Sequence, residues 1–243
     1  MRSTEDKVYA VSGFLTTPEK WLSFSPAWEA TLAADPSISH FKMNNVFGMK
    51  TGPFQTFTRE QRFKKTESLI SVINAHLPDK SDFAGGVVMD FAAYQSMLEP
   101  ALGKRYRNPY LWCFQGILVI YSSFIKQTVS CEKINFIFDD NQKPFRDALR
   151  QYEKVADLPG FVEFKDIVGS ITPGNDLKVM PLQAADMLAG QTRLYGTGKA
   201  TFMDSIAKSD RTHFSYLLGK NKLAAIRAQI DATTAWAQEF MRP

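Results

Sequence analysis

Pro181-Leu182-Gln183-Ala184-Ala185-Asp186-Met187-Leu188-Ala189-Gly190 is the stretch on which the fold turns. A proline at its start suits a first helical turn, where the missing N–H has no partner to lose. Ala, Leu and Met then carry strong helix propensity. Inside it only Gln183 and Asp186 are polar, and with Gly190 they fall at i, i+3 and i+7, one stripe on an apolar cylinder. A helix apolar almost all round belongs inside a domain, so its carboxylate must be paired, protonated or bound to a metal. An ion pair with Arg193, further along the same face, and a functional acid both meet that demand.

Working outward, residues 8–15 alternate β-branched, aromatic and small residues and read as a strand. Thr16, Thr17 and Pro18 open a helix whose inward face is Trp21, Phe24, Trp28 and Leu32, with a kink or break expected at Pro26. After a Gly-, Asn- and Thr-rich loop at 44–58, helices are expected over 59–77, 108–126, 145–155, 182–193 and 220–241. Strands are expected over 83–90, 133–138 and 161–165. Strands alternating with long helices predict one α/β domain over 1–243, a mixed β-sheet flanked by helices on both faces.

Composition narrows the function classes. With 44% hydrophobic and 13% aromatic residues the chain can bury a core and does not read as disordered. A net charge of +4 permits a nucleic-acid partner without requiring one. Cys113 and Cys131 lack metal-ligand spacing, which argues against structural zinc and for a reducing, cytoplasmic home. His40, His76 and His213 lie far apart and read as surface or packing residues. No secretory pattern occupies the first thirty residues. The apolar run 111–125 is too short to span a bilayer, so no membrane partner is expected.

Chemistry points to acids. Asp139-Asp140 directly follows the strand at 133–138, and open α/β sheets bind ligands beyond the carboxyl ends of their strands. Alternation sends the two side chains apart, so one of them faces a site there. Asp-Asp-Asn-Gln is equally good turn material. Set beside Asp186, the pair reads as oxygen ligands for Mg²⁺ or Mn²⁺, as a two-metal phosphodiester hydrolase requires. No phosphate-binding glycine loop, nucleophile elbow or His-Glu-x-x-His motif competes.

Tyr9-Ala10-Val11-Ser12-Gly13-Phe14, the Trp21/Trp28 helix, Phe41-Lys42-Met43, Asn108-Pro109-Tyr110, Phe138-Asp139 and the Leu-Gln-Ala-Ala-Asp block at 182–186 occur in that order. In this the chain resembles the domain of unknown function 3800 (DUF3800) family, common in bacteria and phages. The match covers about 8–195 and leaves a helical extension at 204–243. The resemblance implies a ribonuclease-H-like fold with acids in a first strand, after a middle strand and on the Leu-Gln-Ala-Ala-Asp helix. The second falls on Asp139, with Asp140 in reserve, and the third on Asp186, with Gln183 as its support or a substrate contact. Two departures matter. The Asp-Glu-Ser-Gly strand expected upstream of residue 8 has no counterpart, and the family's Phe-His-Met…Asp motif becomes Phe41-Lys42-Met43-Asn44-Asn45. Lys42 is therefore read as a substrate contact, and either an upstream strand is missing or this member is catalytically weakened.

Gly103-Lys104-Arg105-Tyr106-Arg107-Asn108 completes the picture as a cationic loop leading into a helix N-terminus. Lys104, Arg105 and Arg107 suit phosphate contacts and Tyr106 suits base stacking, although a solvated surface loop has the same composition. The expected function is a divalent-metal-dependent nuclease or nuclease-related hydrolase, with Asp139 and Asp186 as ligands. Its rival is a catalytically inactive nucleic-acid-binding or protein-interaction module.

Overall fold

The computed structural model describes residues 8–47, 52–102, 107–128, 133–140, 143–155, 162–197, 206 and 210–232. Strand β1 (Val8–Leu15) runs antiparallel to β2 (Phe83–Asp90) in unbroken register, Val8 opposite Asp90 and Leu15 opposite Phe83. On its other edge β2 pairs in parallel with β5 (Thr212–Leu218), which makes the sheet mixed. β2 lies in the middle and is buried along nearly its whole length. A second, two-stranded sheet pairs β3 (Ile134–Asp139) in parallel with β4 (Val168–Gly174).

Helices cover the strands on both sides. The most apolar one, α4 (Pro109–Thr128), carries Phe114, Ile117, Leu118, Tyr121 and Phe124 into one cluster with Val87 and Met89 of β2 and with Ile134, Phe136 and Phe138 of β3. One helix thus underlies both sheets. Its Tyr121 hydroxyl donates to the Gly85 carbonyl at 3.2 Å while its ring stands edge-on to Phe136. The opposite layer joins α1 (Pro18–Ala33), α2 (a single turn, Met43–Val46), α3 (Arg59–His76) and α6 (Met180–Gly196) through Phe24, Trp28, Phe41, Leu69, Ile73, Ala184 and Met187. Two further helices, α5 (Lys143–Val155) and α7 (Lys220–Ala232), pack at the margins of the α4 layer, through Phe145 and Leu223.

Local chemistry explains most boundaries. Thr58 and Gln61 form a reciprocal capping box at the start of α3. Helix α1 continues through Pro26 without a break. Both Pro26 and Leu22, whose carbonyl loses its helical donor, are exposed, so water can take the place of the lost bond.

Three expectations are corrected. Residues 162–165 form a helical turn and the strand comes later, at Val168–Gly174. The segment expected as a helical extension contains β5, an integral sheet strand. The strands also divide into two sheets where one was expected. The described part of the final helix ends at Ala232, and the rest of the expected span to 241 lies outside the described residues. Among the described residues no helix is long and apolar enough to cross a membrane.

Candidate functional site

The polar stripe of α6 does not face a cleft; it faces the segment 41–43. Gln183 is wholly buried, and its Oε1 accepts from the Phe41 N–H at 2.8 Å and the Trp28 indole N–H at 3.0 Å. Its amide nitrogen donates to the Asp176 carbonyl at 2.8 Å. One turn on, Asp186 Oδ2 accepts from the Met43 N–H at 2.7 Å. A further turn on, Gly190 lets Met43 lie against the helix, because a Cβ there would fall on the Met43 side chain. The stripe legible in the sequence is a lacing strip for residues 41–43. Gln183 is thus an architectural residue, saturated by the interior, and not a substrate contact.

That lacing decides where Lys42 goes. Its backbone is extended, so its side chain points away from the two neighbours that grip α6. The ammonium forms an ion pair with the Asp176 carboxylate, just after β4, and lies 3.7 Å from Asp139 Oδ2 at the end of β3. Asp139, Asp176 and Asp186 all act electrostatically on it. Burial works against the charged amine, but the hydrogen bond to Asp176 and the three carboxylates outweigh it and raise its pKa. Burial likewise raises Asp139, against the pull of Lys42. Burial raises Asp186 too, against the Met43 N–H and Lys42. A partly buried lysine therefore sits among three carboxylates contributed by two strand ends and a helix.

The structure sets Lys42 beside Asp139 and Asp176, the latter missed by sequence reasoning, and within electrostatic reach of Asp186. Arg193, weighed as the partner of Asp186, contacts Asn44 at 3.4 Å instead. Asp140 is exposed beyond the strand end, its N–H bonded to the Gly174 carbonyl at 2.8 Å. Arg107 donates from Nε to the Leu102 carbonyl at 3.0 Å. Lys104, Arg105 and Tyr106 lie outside the described residues. β1 carries no acid, and its Ser12 donates to the Thr192 hydroxyl on α6 at 3.3 Å.

A divalent ion of the Mg²⁺ or Mn²⁺ type does not fit this arrangement. Such an ion needs carboxylate oxygens free to coordinate it. Here Asp176 is committed to Lys42, and the ammonium stands where a shared cation would have to sit. Among the described residues no group of three His, Cys, Asp or Glu side chains is disposed to hold an ion. Compared with known proteins, the chain matches no family model, no curated protein and no solved structure.

Proposed function

We propose that this chain is a nuclease-related protein of ribonuclease-H-like design whose acidic centre does not hydrolyse phosphodiesters, and that it works as a nucleic-acid-binding module. The observation that carries this reading is the Lys42 ammonium, paired with Asp176 and 3.7 Å from Asp139, at the place where metal-assisted hydrolysis would need an ion. The order of motifs from Tyr9 to Asp186, resembling the DUF3800 family, supports the fold assignment, as do the mixed sheet and its two helical layers. The net charge of +4 and the Lys104, Arg105, Arg107 cluster with Tyr106 support the partner class.

One experiment tests both halves. End-labelled single-stranded DNA, RNA and a hybrid duplex are incubated with wild type and Asp186→Asn in Mg²⁺ or Mn²⁺, and binding is followed in parallel. The expected result is salt-sensitive binding with no cleavage that depends on Asp186. Replacing Lys104, Arg105 and Arg107 by Ala should flatten the salt dependence, each lost phosphate contact removing roughly 0.7 to 0.9 from the log–log slope. Cleavage that disappears in Asp186→Asn would overturn the non-hydrolytic reading. Absence of binding at low salt would transfer the role to protein interaction.

A further inference from the structure

Helix α5 carries four cations and two acids, and their order is not what a face that merely meets water needs. Lys143, Arg146, Arg150 and Lys154 recur at steps of three and four, so on a helix they fall within about 80° of arc. All four are exposed. Asp147 and Glu153 fall on the two borders of that arc. From Lys143 to Lys154 the row runs about 17 Å, close to one cation per turn. Beneath it Phe145 and Ala148 are buried, and the Phe145 ring packs against Phe114 and Phe138 at centroid distances of 6.3 and 5.8 Å. The apolar side thus fixes the helix in place and turns the cations outward, beginning three residues after Asp140.

Helix stability does not account for this order. Arg146 with Arg150, and Arg150 with Lys154, are like charges at i,i+4, which oppose helix formation. Lys143 occupies a first turn that holds no acid, against the positive pole of the helix. The Arg150–Asp147 pair, at 3.9 Å between side chains 70% and 42% exposed, offsets little of this. Helix α3 shows the other arrangement: its exposed Glu60, Lys64 and Glu67 alternate in sign at i,i+4 and i,i+3 spacings.

We propose that the row Lys143, Arg146, Arg150 and Lys154 on α5 is a contact surface for the phosphate backbone of nucleic acid, binding it without reading its sequence. The inference rests on the nucleic-acid-binding reading above and names a surface for it on an anchored helix. A straight row of exposed cations complements a run of phosphates, and neutralising them releases counterions. Among the described side chains of α5 the exposed ones are these four and Glu153, so no amide, hydroxyl or ring stands beside them to read a base edge. No large apolar side chain is exposed among them either, although the centre of a protein–protein interface would call for one.

Fluorescence anisotropy across a salt series tests the proposal, with labelled oligothymidylate and a mixed-sequence single strand as probes and the intact chain as the protein. Combining Lys143→Gln, Arg146→Gln, Arg150→Gln and Lys154→Gln should lower the slope of log affinity against log salt by about 3, each lost contact removing roughly 0.7 on a single strand. Both probes should lose affinity equally. Thermal unfolding of the combined variant should stay level or move upward, since two like-charge pairs disappear, whereas a merely structural role would move it down. If the combined variant fails to fold, as judged by circular dichroism, Arg146→Gln and Arg150→Gln are measured singly, each expected to remove roughly 0.7 from the slope. A folded variant that keeps the full slope while wild type binds would overturn the α5 assignment and leave the nucleic-acid reading standing. Wild type that binds neither probe at low salt removes both. Labelled polyglutamate bound as tightly as the oligonucleotides, and lost in the combined variant, would make this a surface for acidic protein and overturn the proposal.

Discussion

Two cations in this molecule, one buried and one partly buried, are held in opposite ways. Arg211, 3% exposed, lies among neutral acceptors: the Ile73 carbonyl at 3.3 Å, the Leu77 carbonyl at 2.8 Å, the Ile206 carbonyl, the Asn74 amide oxygen and His213 Nε2 at 3.2 Å. Its guanidinium also lies over the Phe14 ring. It closes the C-terminal end of α3, where orphan carbonyls and the negative pole of the helix both welcome a cation. Lys42 lies instead among three carboxylates, on the wet side of the core. The Arg211 cluster is saturated and neutral in its acceptors. The Lys42 cluster is open and over-supplied with charge. Saturation marks a part that holds the fold together; surplus marks a part whose chemistry is still available.

The largest expected effect is on the saturated side. Arg211→Met should destabilise the protein by about 3 kcal/mol or more in urea unfolding, because several buried carbonyls lose their donor together. A loss below about 1 kcal/mol would mean that water reaches those carbonyls and that the contrast is false. Next comes Gln183→Leu, which strands the Trp28 indole N–H and the Phe41 N–H in the interior and should cost about 2 kcal/mol.

A smaller effect is a pH dependence on the Arg211 side. Burial, and then the Arg211 charge, lower the His213 pKa from 6.5 to about 4. The unfolded chain therefore takes up this proton first, and the contribution is intact above pH 6.5 and is lost as pH falls towards 4. Stability measured across that window should decline for wild type and decline less for His213→Gln. A carbon-bound imidazole proton shift with a midpoint near 6.5 would remove His213 from the buried cluster. The smallest effect is expected at the open centre, where Lys42→Met should change stability by under about 1 kcal/mol, as partly exposed ion pairs do. A loss as large as that of Arg211→Met would place Lys42 among the structural cations.

Asp139 and Asp186 were legible because each broke a strong pattern: an acid ending an apolar strand, and an acid inside an apolar helix. Asp176 was hidden by its strand. Gly169, Ser170, Pro173 and Gly174 mask β4 with turn-forming residues, which an outer strand tolerates because only one of its edges must pair. Had β4 been visible, Asp176 would have stood after its carboxyl end as Asp139 stands at that of β3. The role of Lys42 was unreadable for another reason. It depends on residues 41 and 43 gripping a helix some 140 positions away, at separations of 142 and 143 residues, and no local pattern encodes that contact. The division into two sheets is equally non-local, since both are gathered by α4 and not by each other.

The place of β1 in its sheet carries a consequence for amide hydrogen exchange. β1 has one strand partner among the described residues, β2, and an antiparallel ladder directs alternate N–H groups toward that partner. Protection along Val8–Leu15 should therefore rise and fall with a period of two, slow at amides donated to β2 and fast at those pointing outward. Along β2, which is paired on both edges, the same trace should be uniformly slow. The two profiles, recorded in one experiment, would trace the open border of the sheet residue by residue.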